Sequence, residues 1–85
     1  MNQKSFYMFI TKENIPFVES NFYLNSPGIY GIIIYPDRYT AYKNYQENEI
    51  NQSPTEWAKE CNTIEDAYTS IYDYILLNKN NDKIK

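Results

Sequence analysis

The sequence predicts an α+β domain, with a small antiparallel sheet of three to four strands followed by two C-terminal helices packed on one face. Three observations predict it. Residues 29–35 (IYGIIIY) form the longest apolar run, rich in β-branched and aromatic side chains. Pro36-Asp37 then fits the centre of a type I turn leading back into residues 38–45, which alternate as a strand does. Near the C-terminus, Ile64, Ala67, Tyr68, Ile71 and Ile75 recur at helical spacing.

Taken in order, residues 5–11 (SFYMFIT) read as a first strand. Tyr7 and Phe9 would face one side, with Phe6, Met8 and Ile10 on the other, so both sides need covering. Residues 12–16 read as a turn. Residues 17–24 suit either a helical turn or a strand, and the favoured reading is an irregular strand around 21–24. Ser26-Pro27-Gly28 breaks the chain. The strand at 29–35 is central, and Gly31 inside it marks a bulge or a close backbone approach. Its hairpin partner places Tyr39, Ala41, Lys43 and Tyr45 on one face and Arg38, Thr40, Tyr42 and Asn44 on the other.

Residues 46–52 form a polar, acidic loop. Ser53-Pro54-Thr55-Glu56 has the pattern of a capping box and opens a short helix to about residue 61. Trp57 and Cys61 would lie one turn apart on its apolar face. Thr63-Ile64-Glu65-Asp66 opens a second helix to about Leu77, with acids in the first turn where the helix dipole favours them. Tyr72, Tyr74, Leu76 and Leu77 widen its stripe beyond what one sheet face needs, so part of it should contact something else. The polar residues 78–85 read as a frayed tail, leaving one domain over residues 1–77.

Composition narrows the function. Ten of the 85 residues are tyrosine and none is histidine. Tyrosine suits surfaces that are partly buried and partly wet, and aromatic anchors are enriched where proteins bind. Lacking histidine removes the commonest general base and metal ligand. Cys61, the single cysteine, has no histidine to activate it and reads as a small buried hydrophobe. The acids show no EF-hand spacing, and Gly28 and Gly31 form no phosphate loop. Pro36-Asp37 with Glu47-Asn48-Glu49 falls short of a metal-nuclease motif, because Glu49 stands where that motif needs a lysine. These points argue against an enzyme, a metal site or a cofactor.

A net charge of −3 argues against direct nucleic-acid binding. One cysteine, the lack of a signal-like start and no apolar run of membrane length lead to the expectation of a cytoplasmic protein. Asn, Ile, Tyr and Lys dominate, which hints at an AT-rich genome.

The candidate binding residues are the hairpin cluster Tyr35, Arg38, Tyr39, Tyr42, Lys43 and Tyr45, where aromatics and cations interleave. Tyr72 and Leu76 are candidates for an oligomer contact, such as a homodimer. The expected function is a small non-enzymatic inhibitor that binds a host protein with a basic surface, of the anti-defence (anti-CRISPR-like) kind used by phages and mobile elements. The alternatives are a protein that sequesters a small ligand or nucleotide, and a structural oligomerisation module.

Overall fold

The computed structural model describes residues 1–45 and 55–84. Its elements run α1 (Gln3–Lys12), β1 (Phe17–Ser20), β2 (Tyr30–Ile34), β3 (Tyr39–Asn44), β4 (Thr55–Cys61) and α2 (Ile64–Ile84). The α+β class holds. The sheet, however, is mixed. Its four strands lie in the order β1-β2-β3-β4, with β1 parallel to β2 and the other pairs antiparallel. One helix precedes the sheet and one follows it, in place of two at the C-terminus.

Residues 5–11 are helical, which corrects the strand reading. The Asn2 side chain caps α1 by accepting from the Ser5 amide at 2.8 Å. The apolar residues then divide by helical period. Phe6 and Ile10, four apart, are buried, while Tyr7 and Met8 face outward. Asn14 ends the helix at φ 58°, a left-handed conformation that asparagine tolerates. The amides of Asn14 and Ile15 bond back to the Thr11 and Ile10 carbonyls at 3.2 and 2.9 Å, the two bonds of a Schellman motif.

β1 lies at Phe17–Ser20, ahead of the expected 21–24. The segment from 21 to 29 instead crosses the sheet face opposite the helices. It is pinned there by Asn44, whose amide donates to the Leu24 and Ser26 carbonyls at 2.7 and 3.1 Å. Tyr23 donates to the Asn44 side-chain oxygen and accepts from the Thr55 hydroxyl. This crossing lets β1 lie parallel to β2 without an intervening helix. The hairpin of β2 and β3 follows expectation, closed by the Tyr35 amide to the Arg38 carbonyl at 3.0 Å.

The short helix expected to end near residue 61 is β4. Trp57 and Cys61, four apart, share a face in a strand as well as in a helix, so their spacing decides nothing. Pairing with β3 decides it. Ser53, Pro54 and the loop at 46–52 lie outside the described residues. A register shift at Lys43/Asn44 leaves Glu56 as an extra residue, so Glu56 and Trp57 both reach Tyr74 of α2.

α2 starts as expected, with the Thr63 hydroxyl accepting from the Asp66 amide at 3.1 Å. Its backbone continues through Ile84, past the expected end near Leu77. Both helices share one core with the sheet. Phe6 stacks on Tyr68 at 4.7 Å and meets Phe17 edge-on at 4.9 Å. Ile32 and Ala41 meet Ala67, Ile71 and Ile75 below them. Of the surplus apolar residues of α2, Tyr72 packs against Phe9 of α1 at 4.8 Å, whereas Leu77 stays exposed.

Candidate functional site

The hairpin residues do not form one surface. Tyr42 is 1% exposed, its ring lying over Gly31 and under the crossing segment, with its hydroxyl accepting from the Leu24 amide at 3.2 Å. It is interior and unavailable to a partner. Tyr39 is half-buried against the core on the helix side. Lys43 also points to that side, 5.2 Å above the Tyr30 ring and 3.4 Å from the Glu56 carboxylate. Tyr45 is half-buried at the end of the hairpin. Tyr35 and Arg38 meet at the hairpin tip, with the guanidinium 4.2 Å from the ring centroid. Arg38 is engaged further. It bonds Asp37 at 3.0 Å, and its Nε lies 3.0 Å from Glu60. Of the proposed oligomer contacts, Tyr72 is held by Phe9, and Leu76 is half-buried.

Tyr30, Tyr42 and Tyr68 are buried, and the hydroxyls of Tyr23, Tyr42, Tyr68 and Tyr74 are bonded within the chain. Tyr68 donates to Glu19, and Tyr74 donates to Glu56. Burial, and then those carboxylates, push both phenols above their ordinary range. Burial raises Tyr30 too, reinforced by Tyr74 and Glu56. Burial and the charge of Glu19 raise Tyr7 to about 12.

Exposed large apolar side chains occur elsewhere: Met8 at 65%, Phe22 at 63%, Leu77 at 58% and Tyr7 at 37%. Tyr7 and Met8 lie on the outer flank of α1 between Lys4 and Lys12, an open face supplied by one helix.

Leu77 belongs to a built groove. β4 is an edge strand, and between it and α2 runs a hollow of about 220 Å³ lined by Trp57, Lys59, Tyr74 and Leu77, with Ser70 and Asp73. Trp57 stacks on Tyr74 at 4.6 Å and 17°, which makes a flat aromatic wall. A second hollow of about 240 Å³ shares Lys59, Ser70 and Asp73 and continues past Cys61 to Asp66. The channel is apolar at the Trp57 end and acidic at the Asp66 end. Asp66 and Asp73 form no ion pair among the described residues. Cys61 is buried on its floor, its Sγ 3.6 Å from the Ser70 hydroxyl.

Reading residues 55–61 as a helix hid this groove. The one signal available was faint: Trp57, Lys59 and Cys61 alternate with Ala58 and Glu60. That alternation carries too little hydrophobic contrast to announce a strand.

Among the described residues, no three His, Cys, Asp or Glu side chains gather as a metal site. None of the described helices is long and apolar enough to cross a membrane. Compared with protein-family models, curated proteins and solved structures, the chain matches none.

Proposed function

We propose that this chain is a small non-enzymatic protein that binds another protein and inhibits it by covering a surface. The observation that supports this most is the β4–α2 groove, where an aromatic wall and exposed Leu77 adjoin two carboxylates that form no ion pair among the described residues. Exposed apolar side chains beside unpaired charge are what a protein interface needs at its centre and rim. The excess of acid over base in the groove favours a basic partner surface. A host protein opposed by a phage or mobile element is the class we favour, supported by the chain's size and its Asn-, Ile-, Tyr- and Lys-rich composition.

Affinity capture from the natural host's lysate, with two surface variants, tests this. Leu77→Asp alters the groove at an exposed site, and Met8→Asp alters the α1 flank. A host protein should be captured by the unaltered chain and by Met8→Asp, be lost with Leu77→Asp, and associate more slowly as salt rises. Loss with Met8→Asp alone would move the interface to α1. Recovery of a bound molecule of a few hundred daltons, with no protein, would replace this reading with ligand sequestration.

A further inference from the structure

The strand pairing fixes which backbone groups of β4 face outward. Bonds from the Tyr35 amide to Arg38 and from the Asn44 amide to Ile29 set the phase of the β2–β3 ladder. Even-numbered residues of β3 therefore bond β2, and Tyr39, Ala41 and Lys43 bond β4. Their partners are Cys61, Lys59 and Trp57. The amides and carbonyls of Ala58 and Glu60 thus point away from the sheet, both residues are exposed, and no described strand pairs there. The side chains of Trp57, Lys59 and Cys61 meanwhile face the groove under α2.

We infer that the β4 edge accepts an extended basic and apolar segment of a partner protein as a fifth strand, with alternate side chains seated in the β4–α2 groove. The inference rests on the protein-binding reading above. An added strand satisfies the outward backbone groups of Ala58 and Glu60, and the groove reads every second residue. Charge sets the sequence of the occupant. An apolar residue opposite Trp57 meets Tyr74 and Leu77. A cation opposite Cys61 approaches Asp66 and Asp73, which outnumber Lys59. In the antiparallel sense, which pairs slightly better, the segment runs cation first and apolar residue four positions later.

A second copy of the chain fits poorly. Two-fold pairing about Glu60 or about Lys59 sets a like charge against itself, which destabilises a sheet. Pairing about Ala58 brings Thr55 opposite Cys61, where the acids call for a cation. The chain's net charge of −3 adds repulsion.

The test titrates ¹⁵N-labelled protein with the blocked peptide Thr-Arg-Thr-Thr-Val-Leu-Thr, whose Arg falls opposite Cys61 and whose Leu falls opposite Trp57. The expected result is shifts centred on the Ala58 and Glu60 amides and the Trp57 indole, with slowed exchange of those two amides. N-methylation of the two peptide residues that face β4 should weaken binding about tenfold or more, since it removes two strand hydrogen bonds. Leu77→Asp should weaken it as well. Equal binding of the N-methylated peptide would overturn strand addition in favour of simple charge attraction. So would the absence of shifts at millimolar peptide, or a dimer that protects Ala58 and Glu60 without peptide. If a host protein is still lost with Leu77→Asp while the peptide fails, the protein-binding reading stands and only the strand mode falls.

Discussion

Gly31 and Tyr42 hold the centre of the sheet through a contact that tolerates no added atom. A Cβ on Gly31 would fall 2.3 Å from Tyr42 Cζ and 2.4 Å from its hydroxyl. Tyr42 is buried and its hydroxyl is engaged by the Leu24 backbone, so the ring has little room to retreat. Gly31→Ala should therefore destabilise the fold by about 1–3 kcal/mol, the usual cost of overpacking. Tyr42→Leu, which shortens the side chain, should cost stability alone yet relieve most of the Gly31→Ala penalty when combined with it. Denaturant unfolding of the two single variants and the double variant measures this coupling. Additive losses would mean that the glycine is needed for some other reason. Sequence reasoning named a close backbone approach at Gly31 but placed Tyr42 on a binding surface. A tyrosine on an alternating strand gives no sign of whether a loop covers its face.

At the scale of elements, α1 shows where the one-dimensional pattern misleads. Five apolar residues in a row from Phe6 to Ile10 satisfy a doubly covered strand and a helix alike. The signals that settle it are small polar ones, namely Asn2 as cap and Asn14 as the left-handed terminator. Asn2→Ala should cost about 1 kcal/mol, the usual worth of a helix cap. Amide exchange should speed up first in the opening turn of α1. A uniform loss across the sheet would show that the cap acts through global stability alone. β4 fails for a related reason, because a four-residue spacing fits both periods and only pairing with β3 selects the strand. β3 and the core stripe of α2 were legible from their periods, and β2 from its β-branched and aromatic residues between the breakers Ser26-Pro27-Gly28 and Pro36-Asp37. The parallel β1–β2 pair was not legible. It depends on the polar clamp of Asn44, Tyr23 and Thr55, whose members are far apart in sequence. The groove followed β4 out of view, since its walls exist only once residues 55–61 are extended beside α2.

For the whole molecule, the tyrosine content becomes a statement about alkaline stability. Tyr30, Tyr42 and Tyr68 are at most 7% exposed, and burial raises each phenol above its ordinary value. An unfolded tyrosine ionises near pH 10, whereas burial keeps these three protonated above it while the chain is folded. Between the unfolded and folded values the native state holds more protons, so stability falls as pH rises. The contribution is complete below about pH 10 and declines above it, by up to about 1.4 kcal/mol per pH unit for each buried phenol. A domain of this size has roughly 5–10 kcal/mol in hand, so the accumulated loss should unfold it at alkaline pH above 10. Circular dichroism and tyrosinate absorbance followed together should change in one cooperative step over that range. Gradual ionisation of all ten tyrosines near pH 10, with the fold intact, would contradict the burial of these rings. It would also return tyrosines to the surface as binding residues, and the case for β4 and α2 as the interface would weaken with it.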